Sequence, residues 1–207
     1  MTQRTKALGA HYLDSGPLLC LGGSATMADL YDQTYLAEAR LVGAVAAEIS
    51  RRAVRRTAPG DPRRQGPADR AARVAAGRYR PLLDAAAPRP TPAPPHLTSI
   101  EASLHTRAQR KQPGKILHPD EHRGESESIH AAAADGSGFV SCDDDARLEA
   151  AAHGVPVETF VDIARRLAAI QRDVKPKRIV SELQSLARNG IDIGDVVQSV
   201  LDLRIAP

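Results

Sequence analysis

The chain has 207 residues and a formal net charge of +3, and 42% of its residues are hydrophobic, 3% aromatic and none tryptophan. The hydrophobic fraction is enough for a packed core, which excludes a wholly disordered chain. The few aromatic residues disfavour a base-stacking platform for single-stranded nucleic acid. Residues 1–10 lack a signal-peptide core and no apolar run reaches membrane-helix length, so we expect no membrane contact. Because Cys20 and Cys142 form no CxxC pair, the sequence favours a reducing, cytoplasmic environment without a zinc finger or a disulfide scaffold.

The positive charge is concentrated in one segment. Between Arg51 and Arg80 there are ten arginines and only two acidic residues, Asp61 and Asp69. Such a basic segment on an otherwise acidic chain is typical of proteins that contact a phosphate backbone. A solvated, arginine-rich loop that reflects codon bias is an equally good interpretation. If the segment is an RNA-binding arm, its candidate residues are Arg51, Arg52, Arg55, Arg56, Arg63 and Arg64.

The first half of the chain predicts one strand followed mainly by helices. Leu8–Asp14 is a short apolar strand, and Pro17 suits the first turn of the helix that follows it. A second helix is expected at Met27–Arg40, and a brief apolar run follows it at Leu41–Val45. Two more helices are expected, at Ala46–Val54 and at Ala68–Ala87, the latter with an interruption at Pro81. Between them, Thr57–Pro67 is a loop, and Pro88–Pro95 is a polyproline-like spacer.

The second half predicts an alternation of strands and helices. His96–Ala102 alternates weakly, which indicates a strand, and Gln109–Arg123 is a polar loop. Five elements follow in order: a helix from Gly124 to Ala134, a strand at Gly138–Cys142, a helix to His153, a strand at Val157 and a helix at Glu158–Ile170. Helices at Lys177–Asn189 and Ile193–Leu203 form a tail whose apolar stripes must pack on the body or on a second copy. We therefore expect an α/β fold with a parallel sheet and a C-terminal helical pair.

Acidic residues occur where open α/β sheets place their chemistry. Asp14 and Asp143 directly follow predicted strands, Glu125 begins a helix and Glu48 lies within one. Ligands collect at the carboxyl ends of parallel strands, and converging carboxylates there need a cation such as Mg²⁺ or Mn²⁺. Each acid also has a structural interpretation that stays open. Asp14 and Asp143 would cap helices, and Glu48 would pair with Arg51 or Arg52. Glu125 would interact favourably with the dipole at the N-terminus of its helix.

Several segments, taken in order, resemble the PIN-domain nucleases. The run Leu13–Leu19 is similar to the opening of that family, where an Asp after the first strand precedes a Ser or Thr. Val42–Ile49 resembles the second acidic site, Gly124–Ala131 the G-E-x-E-x-I-x-x-A helix of one subgroup, and Phe139–Arg147 the strand that ends in aspartates. Gly154–Val157 and the tail from Lys177 to Leu203 also match that subgroup, whereas the match is poor over Arg51–Arg123.

The resemblance implies a PIN-like, three-layer fold that consists of a domain at residues 8–170, a variable Arg/Pro-rich insert at 51–123 within it, and a helical appendage at 175–207. It further implies a Mg²⁺- or Mn²⁺-dependent endoribonuclease, with Asp14, Glu125 and Asp143 as metal ligands and Glu48 as a ligand or as the residue that orients the attacking water. Glu127 is an alternative to Glu125, and Asp144 and Asp145 are alternatives to Asp143. The implied partners are RNA and, for a toxin of a toxin–antitoxin pair, an antitoxin protein; a homodimer is a further candidate.

Two other functions compete with the nuclease. One is a catalytically inactive PIN-fold protein that binds nucleic acid or protein through its arm and tail. The other is a small-molecule phosphohydrolase, which the chain disfavours because it has neither a DxDxT-like nucleophile motif nor a GxxxxGK[ST] loop. The seven histidines show no HExxH spacing, and Pro119 between His118 and His122 disfavours a helical zinc pair.

Overall fold

The computed structural model describes residues 9–55, 66–114, 116–118, 120–170 and 174–194. These residues form an α/β fold with four parallel strands and ten α-helices. The strands are β1 (His11–Leu13), β2 (Ala39–Arg40), β3 (Gly138–Val140) and β4 (Val157–Glu158). The helices are α1 (Ser15–Gly23), α2 (Ala25–Thr34), α3 (Gly43–Ala53), α4 (Pro67–Arg78), α5 (Arg80–Asp84), α6 (Pro95–Lys111), α7 (Arg123–Asp135), α8 (Asp144–Ala152), α9 (Phe160–Ile170) and α10 (Pro176–Arg188).

The sheet has the order β2-β1-β3-β4, with every neighbouring pair parallel. Its register pairs Tyr12 with Arg40 on one side and with Phe139 on the other. Because β1 and β3 are adjacent and parallel, their carboxyl ends meet at the same edge, which brings the residues after Leu13 and after Val140 together. The α/β class and the parallel sheet predicted from the sequence are therefore confirmed.

The contacts between helices form two sets that a contact between α1 and α2 joins, and the fold agrees with a three-layer arrangement. In one set α4 packs on α1 and α3, α3 packs on α7, and α7 packs on α6 and α8. In the other set α2, α9 and α10 pack on one another. The interruption predicted at Pro81 is present, because the chain bends at Tyr79 between α4 and α5. Tyr79 itself is buried and helps α4 to close the core.

The predicted strand at His96–Ala102 is wrong, since these residues belong to α6. Pro95 occupies the first turn of α6, where its missing N–H costs nothing. Leu97, Ile100 and Leu104 follow at helical spacing and are all buried. The same helix extends into the predicted loop that begins at Gln109, because α6 ends only at Lys111.

The predicted helix Met27–Arg40 is also too long. The α-helix ends at Thr34, residues Leu36–Glu38 form a 3-10 turn, and Ala39–Arg40 are strand β2. The helix expected from Ala46 begins earlier, at Gly43, whose N–H donates to the carbonyl of Ala87. Val42, two residues after β2, and Ala87 form a parallel bridge. The proline-rich segment, which begins at Pro88, therefore starts close to the end of β2.

The first helix of the tail packs on the body. Ile179, Leu183 and Leu186 of α10 are buried in the main core, as expected for their apolar stripe. The Glu182 carboxylate accepts hydrogen bonds from the side chains of Ser24 and Thr26 at the start of α2. The second predicted tail helix, Ile193–Leu203, lies outside the described residues beyond residue 194. Among the described helices, none is long and apolar enough to cross a membrane.

Candidate functional site

Asp14 lies at the end of β1 and is almost fully buried, with 5% of its surface exposed. One carboxylate oxygen accepts from the backbone N–H of Ser15 at 2.6 Å, at the N-terminus of α1. The other accepts from the Ser141 hydroxyl at 2.8 Å. The Asp14 side chain is therefore fixed by two donors from the two neighbouring strand ends.

Asp143 lies on the same edge, two residues after Ser141. The Ser141 hydroxyl oxygen accepts from the Asp143 backbone N–H at 3.0 Å, so one hydroxyl links the two aspartate segments. The Asp143 side chain caps α8 by accepting from the Ala146 N–H at 2.8 Å. Gly16 leaves room for this approach, because a Cβ there would lie 3.1 Å from the Cβ of Cys142.

The N-terminus of α7 brings Glu125 to this edge. A Cβ on Gly124 would lie 3.0 Å from Val45 and 4.0 Å from an Asp14 carboxylate oxygen, so the glycine allows α7 to start close to Asp14. His122, which precedes α7 in the left-handed region (φ 64°), faces Glu125 across 3.6 Å from Nδ1 to Oε1. The nearby Glu125 carboxylate raises the pKa of His122, and the charge of Asp143 adds to this effect.

Glu48 lies on the middle of α3, where its Oε1 is 2.9 Å from Nη2 of Arg52, one helical turn later. Its charge nevertheless reaches Asp14. Burial, followed by the negative charge of Glu125 and with a further contribution from Glu48, holds the pKa of Asp14 well above its usual range, against the hydrogen bonds from Ser141 and Ser15.

The structure thus places Glu125 and Glu48 within electrostatic reach of Asp14, and the Ser141 hydroxyl joins Asp14 to the backbone of Asp143. Asp14 interacts with Glu125 and Glu48, and His122 interacts with both Glu125 and Asp143. Three of the acids also have the local partner that the structural interpretation predicted, since Asp14 and Asp143 cap helices and Glu48 pairs with Arg52, and Glu125 lies in the first turn of α7. Within the described ranges, no three His, Cys, Asp or Glu side chains are arranged as the ligands of one metal ion.

The alternative metal ligands have other partners. Glu127 is 3% exposed and accepts from Arg123 at 2.9 Å, from Arg89 at 3.2 Å and from the Ala44 N–H at 3.3 Å. This carboxylate therefore joins α7 to the proline-rich segment and to the start of α3. Asp144 contacts Arg147, and Asp145 contacts Lys111 at 2.7 Å. These pairs make Asp143 the best placed of the three aspartates for a role near Asp14.

A cleft of about 390 Å³ opens beside Asp143. Its lining combines two cations, Lys111 and Arg147, with acidic residues that include Asp143 and Asp144. The Nη1 atom of Arg147 donates to the carbonyl of Gly194 at 3.0 Å, so the residues after α10 close one side of the cleft. Cations beside carboxylates suit a phosphate group next to a cation-binding site.

The predicted arginine arm is only partly described. Arg51 and Arg55 are exposed near the C-terminus of α3, and Arg52 pairs with Glu48. Arg56, Arg63 and Arg64 lie outside the described residues. The helix after the arm, α4, packs on α1 and α3.

The sequence interpretation missed several residues near the site. Ser141 lies in the quoted strand motif, but only the parallel pairing of β1 and β3 shows that it contacts Asp14. His122 and Lys111 belong to a segment that was predicted to be a loop. Cys142 is buried, and its contact with Cys20 together with burial holds the pKa of its thiol well above the usual range, which argues against a nucleophilic cysteine.

Comparisons of this chain with protein-family models, with curated proteins and with solved structures gave no match.

Proposed function

We propose that the protein is a Mg²⁺- or Mn²⁺-dependent endoribonuclease of the PIN type that hydrolyses RNA phosphodiesters at the carboxyl edge of its sheet. The observation that carries this proposal is that the carboxylates of Glu125 and Glu48 act electrostatically on Asp14 at the end of β1, while the Ser141 hydroxyl joins Asp14 to the Asp143 backbone. The order of these residues along the chain, and the elements that bear them, correspond to the motifs that resemble the PIN family.

The donor set suits a hard divalent cation, because carboxylate oxygens are the ligands that Mg²⁺ and Mn²⁺ prefer. The crowding around Asp14 supports such a cation, since two other carboxylates destabilise the charge on Asp14. We assign Asp14, Glu125 and Asp143 as its ligands. When bound, the cation would stabilise charge on the phosphodiester oxygens and make water a better nucleophile.

The protein's own residues would position the reactants. Ser141 and the Ser15 N–H hold the Asp14 carboxylate in one orientation. Lys111 and Arg147, which pair with Asp145 and Asp144, line the cleft beside Asp143 and would donate to a phosphate there. Glu48 would orient the attacking water. The water oxygen would bond to phosphorus and lose a proton to solvent, while the bond to the leaving 3′-oxygen breaks and that oxygen takes a proton from solvent.

RNA is the proposed substrate because of the basic segment that follows α3. Contacts from its arginines to phosphates would add affinity without sequence preference. If the nuclease is a toxin, its proposed partner is an antitoxin protein that covers the acidic edge. A second proposed partner is another copy of the chain, since a homodimer would double the basic surface.

A cleavage assay tests this function. An end-labelled RNA of mixed sequence should be cut in the presence of Mg²⁺ or Mn²⁺, and EDTA should stop the reaction. Asp14→Asn keeps the size of the side chain and should lower the cleavage rate by at least 100-fold. Asp84→Asn, at an exposed residue of α5 that pairs with Arg80, is the matched control and should cut at the wild-type rate. Equal rates for both variants would contradict the proposal.

A second candidate function is a catalytically inactive PIN-type module that binds nucleic acid. The observation in its favour is that three of the acids have local structural partners: Asp14 and Asp143 cap α1 and α8, and Glu48 pairs with Arg52. This module would bind RNA as tightly in EDTA as in Mg²⁺ and would leave it intact.

A further inference from the structure

Three histidines from different helices form a row that shares no residue with the acidic edge. His96 lies in the first turn of α6, His130 on α7, and His153 at the C-terminus of α8. The Nε2 atom of His96 is 3.0 Å from Nδ1 of His153. The Nδ1 atom of His96 is 3.1 Å from Nδ1 of His130. Since His96 faces its two neighbours with different ring nitrogens, the three rings form a chain and do not converge on one point.

The far end of this chain is anchored by a buried carboxylate. Nε2 of His153 is 3.2 Å from Oε1 of Glu149, which is 5% exposed. The other oxygen of Glu149 accepts from the Ser103 hydroxyl at 2.6 Å and from Arg107 at 3.2 Å. Glu149 is thus an acceptor that fixes the proton of His153 on Nε2, so the Nδ1 lone pair of His153 accepts the hydrogen bond that His96 Nε2 donates across 3.0 Å. A cation that replaces this shared proton would bind both nitrogens.

The spacing of the inner pair matches two ligands of one metal ion. With metal–nitrogen distances of about 2.0–2.1 Å, two imidazole nitrogens on one ion lie about 2.9–3.4 Å apart. The Nε2 of His96 and the Nδ1 of His153 meet this requirement at 3.0 Å. Each ring also has a partner for its other nitrogen, Glu149 for His153 and His130 for His96, as is usual for histidines that bind metals.

We propose that His96 Nε2 and His153 Nδ1 form a surface site for a borderline-soft divalent cation, such as Zn²⁺, Ni²⁺ or Cu²⁺, with water in the remaining positions. His130 and Glu149 are positioning residues. His96 is exposed and therefore accessible to an ion from solvent.

This site is independent of the proposed nuclease centre. Imidazole nitrogens prefer Zn²⁺, Ni²⁺ and Cu²⁺, whereas the carboxylates at the sheet edge prefer Mg²⁺ and Mn²⁺. The two sites share no residue. A Zn²⁺ site on the histidine row would therefore exist whether or not the protein cleaves RNA.

Isothermal titration of the full chain, without a histidine tag, tests the proposal. Zn²⁺ is the probe, and excess Mg²⁺ is present to occupy the carboxylate site. The wild type should bind one Zn²⁺. His96→Ala and His153→Ala should each weaken binding at least tenfold, and Glu149→Gln should weaken it about 10–100-fold through the loss of the His153 orientation. The control, His118→Ala, removes an exposed histidine outside the row and should bind as the wild type does.

Two outcomes would overturn the proposal. One is the absence of saturable Zn²⁺ binding to the wild type, or binding that His96→Ala and His153→Ala leave unchanged. The other is binding that only Asp14→Asn abolishes, which would assign the ion to the carboxylates. Circular dichroism spectra of the variants establish that they are folded, and since His96 is exposed its replacement leaves the core intact.

Discussion

Ser141 offers a sharp test of how the acidic edge is held together. Its hydroxyl is fully buried, donates to Asp14 at 2.8 Å and accepts from the Asp143 N–H at 3.0 Å. Ser141→Ala removes both hydrogen bonds and leaves a buried carboxylate with one donor fewer. A hydrogen bond to a charged group contributes about 1.5–3 kcal/mol. We expect Ser141→Ala to lower the free energy of unfolding by about this amount in urea denaturation at pH 8.

Ser128 is the matched control for this substitution. It is also fully buried, on α7, but its hydroxyl has no hydrogen-bond partner among the described residues. Ser128→Ala should leave the free energy of unfolding unchanged or raise it by up to about 1 kcal/mol, because alanine favours helices and no hydrogen bond is removed. If the two variants unfold with equal free energies, Ser141 does not hold the acidic edge.

The same substitution has a consequence for metal binding. The hydrogen bond from Ser141 lowers the pKa of Asp14, against the effect of burial. Its removal should raise that pKa further, so that a larger fraction of Asp14 is protonated at neutral pH. Since a carboxylate must be ionised to bind a cation, Ser141→Ala should weaken Mn²⁺ binding at pH 6.5 more than at pH 8.5. An equal weakening at both pH values would contradict this explanation.

Three further predictions concern the tail, the core and the arm. Glu182→Gln should lower the free energy of unfolding by about 1–3 kcal/mol at pH 7. Because folding lowers the pKa of Glu182, the difference in free energy between wild type and variant should shrink as pH falls below the ordinary glutamate range. An equal difference at pH 7 and pH 3 would refute this prediction. Gly22→Ala should cost about 3 kcal/mol or more in urea, because its Cβ would lie 2.0 Å from the Ala71 carbonyl oxygen, whereas Gly77→Ala, with open space, should be neutral or stabilising. Serine at the four arm positions should flatten the log–log salt dependence of RNA affinity by about 0.7 for each phosphate that the variant no longer neutralises, and an unchanged slope would favour codon bias over RNA binding. These positions are Arg51, Arg52, Arg55 and Arg56.

Patterns local in sequence predicted most of the fold. The strands before Asp14 and Asp143 were recognisable because short apolar runs end there at polar residues. The break at Pro81 was recognisable because proline cannot continue a helix from the preceding residues. In contrast, His96–Ala102 has a weak alternation that also fits helical spacing, and burial against neighbouring helices decided for the helix.

The candidate site was predictable only as a set of residues. The sequence indicates that Asp14 and Asp143 follow strands, but it does not show that those strands are neighbours. It also does not show that Glu127 is held by other partners. These partners include Arg89, which is 38 positions away in a segment that composition alone describes as a spacer. The histidine row was missed for the same reason, since its members come from three helices and follow no local motif.

The most direct test of the central claim is the titration of the metal-free protein with Mn²⁺. If Asp14, Glu125 and Asp143 bind one cation together, the wild type should bind Mn²⁺ saturably. Asp14→Asn and Glu125→Gln should each weaken that binding at least tenfold, and Asp84→Asn should leave it unchanged. Wild-type affinity in Asp14→Asn and Glu125→Gln, or no Mn²⁺ binding by the wild type, would contradict a shared metal centre at the edge of the sheet.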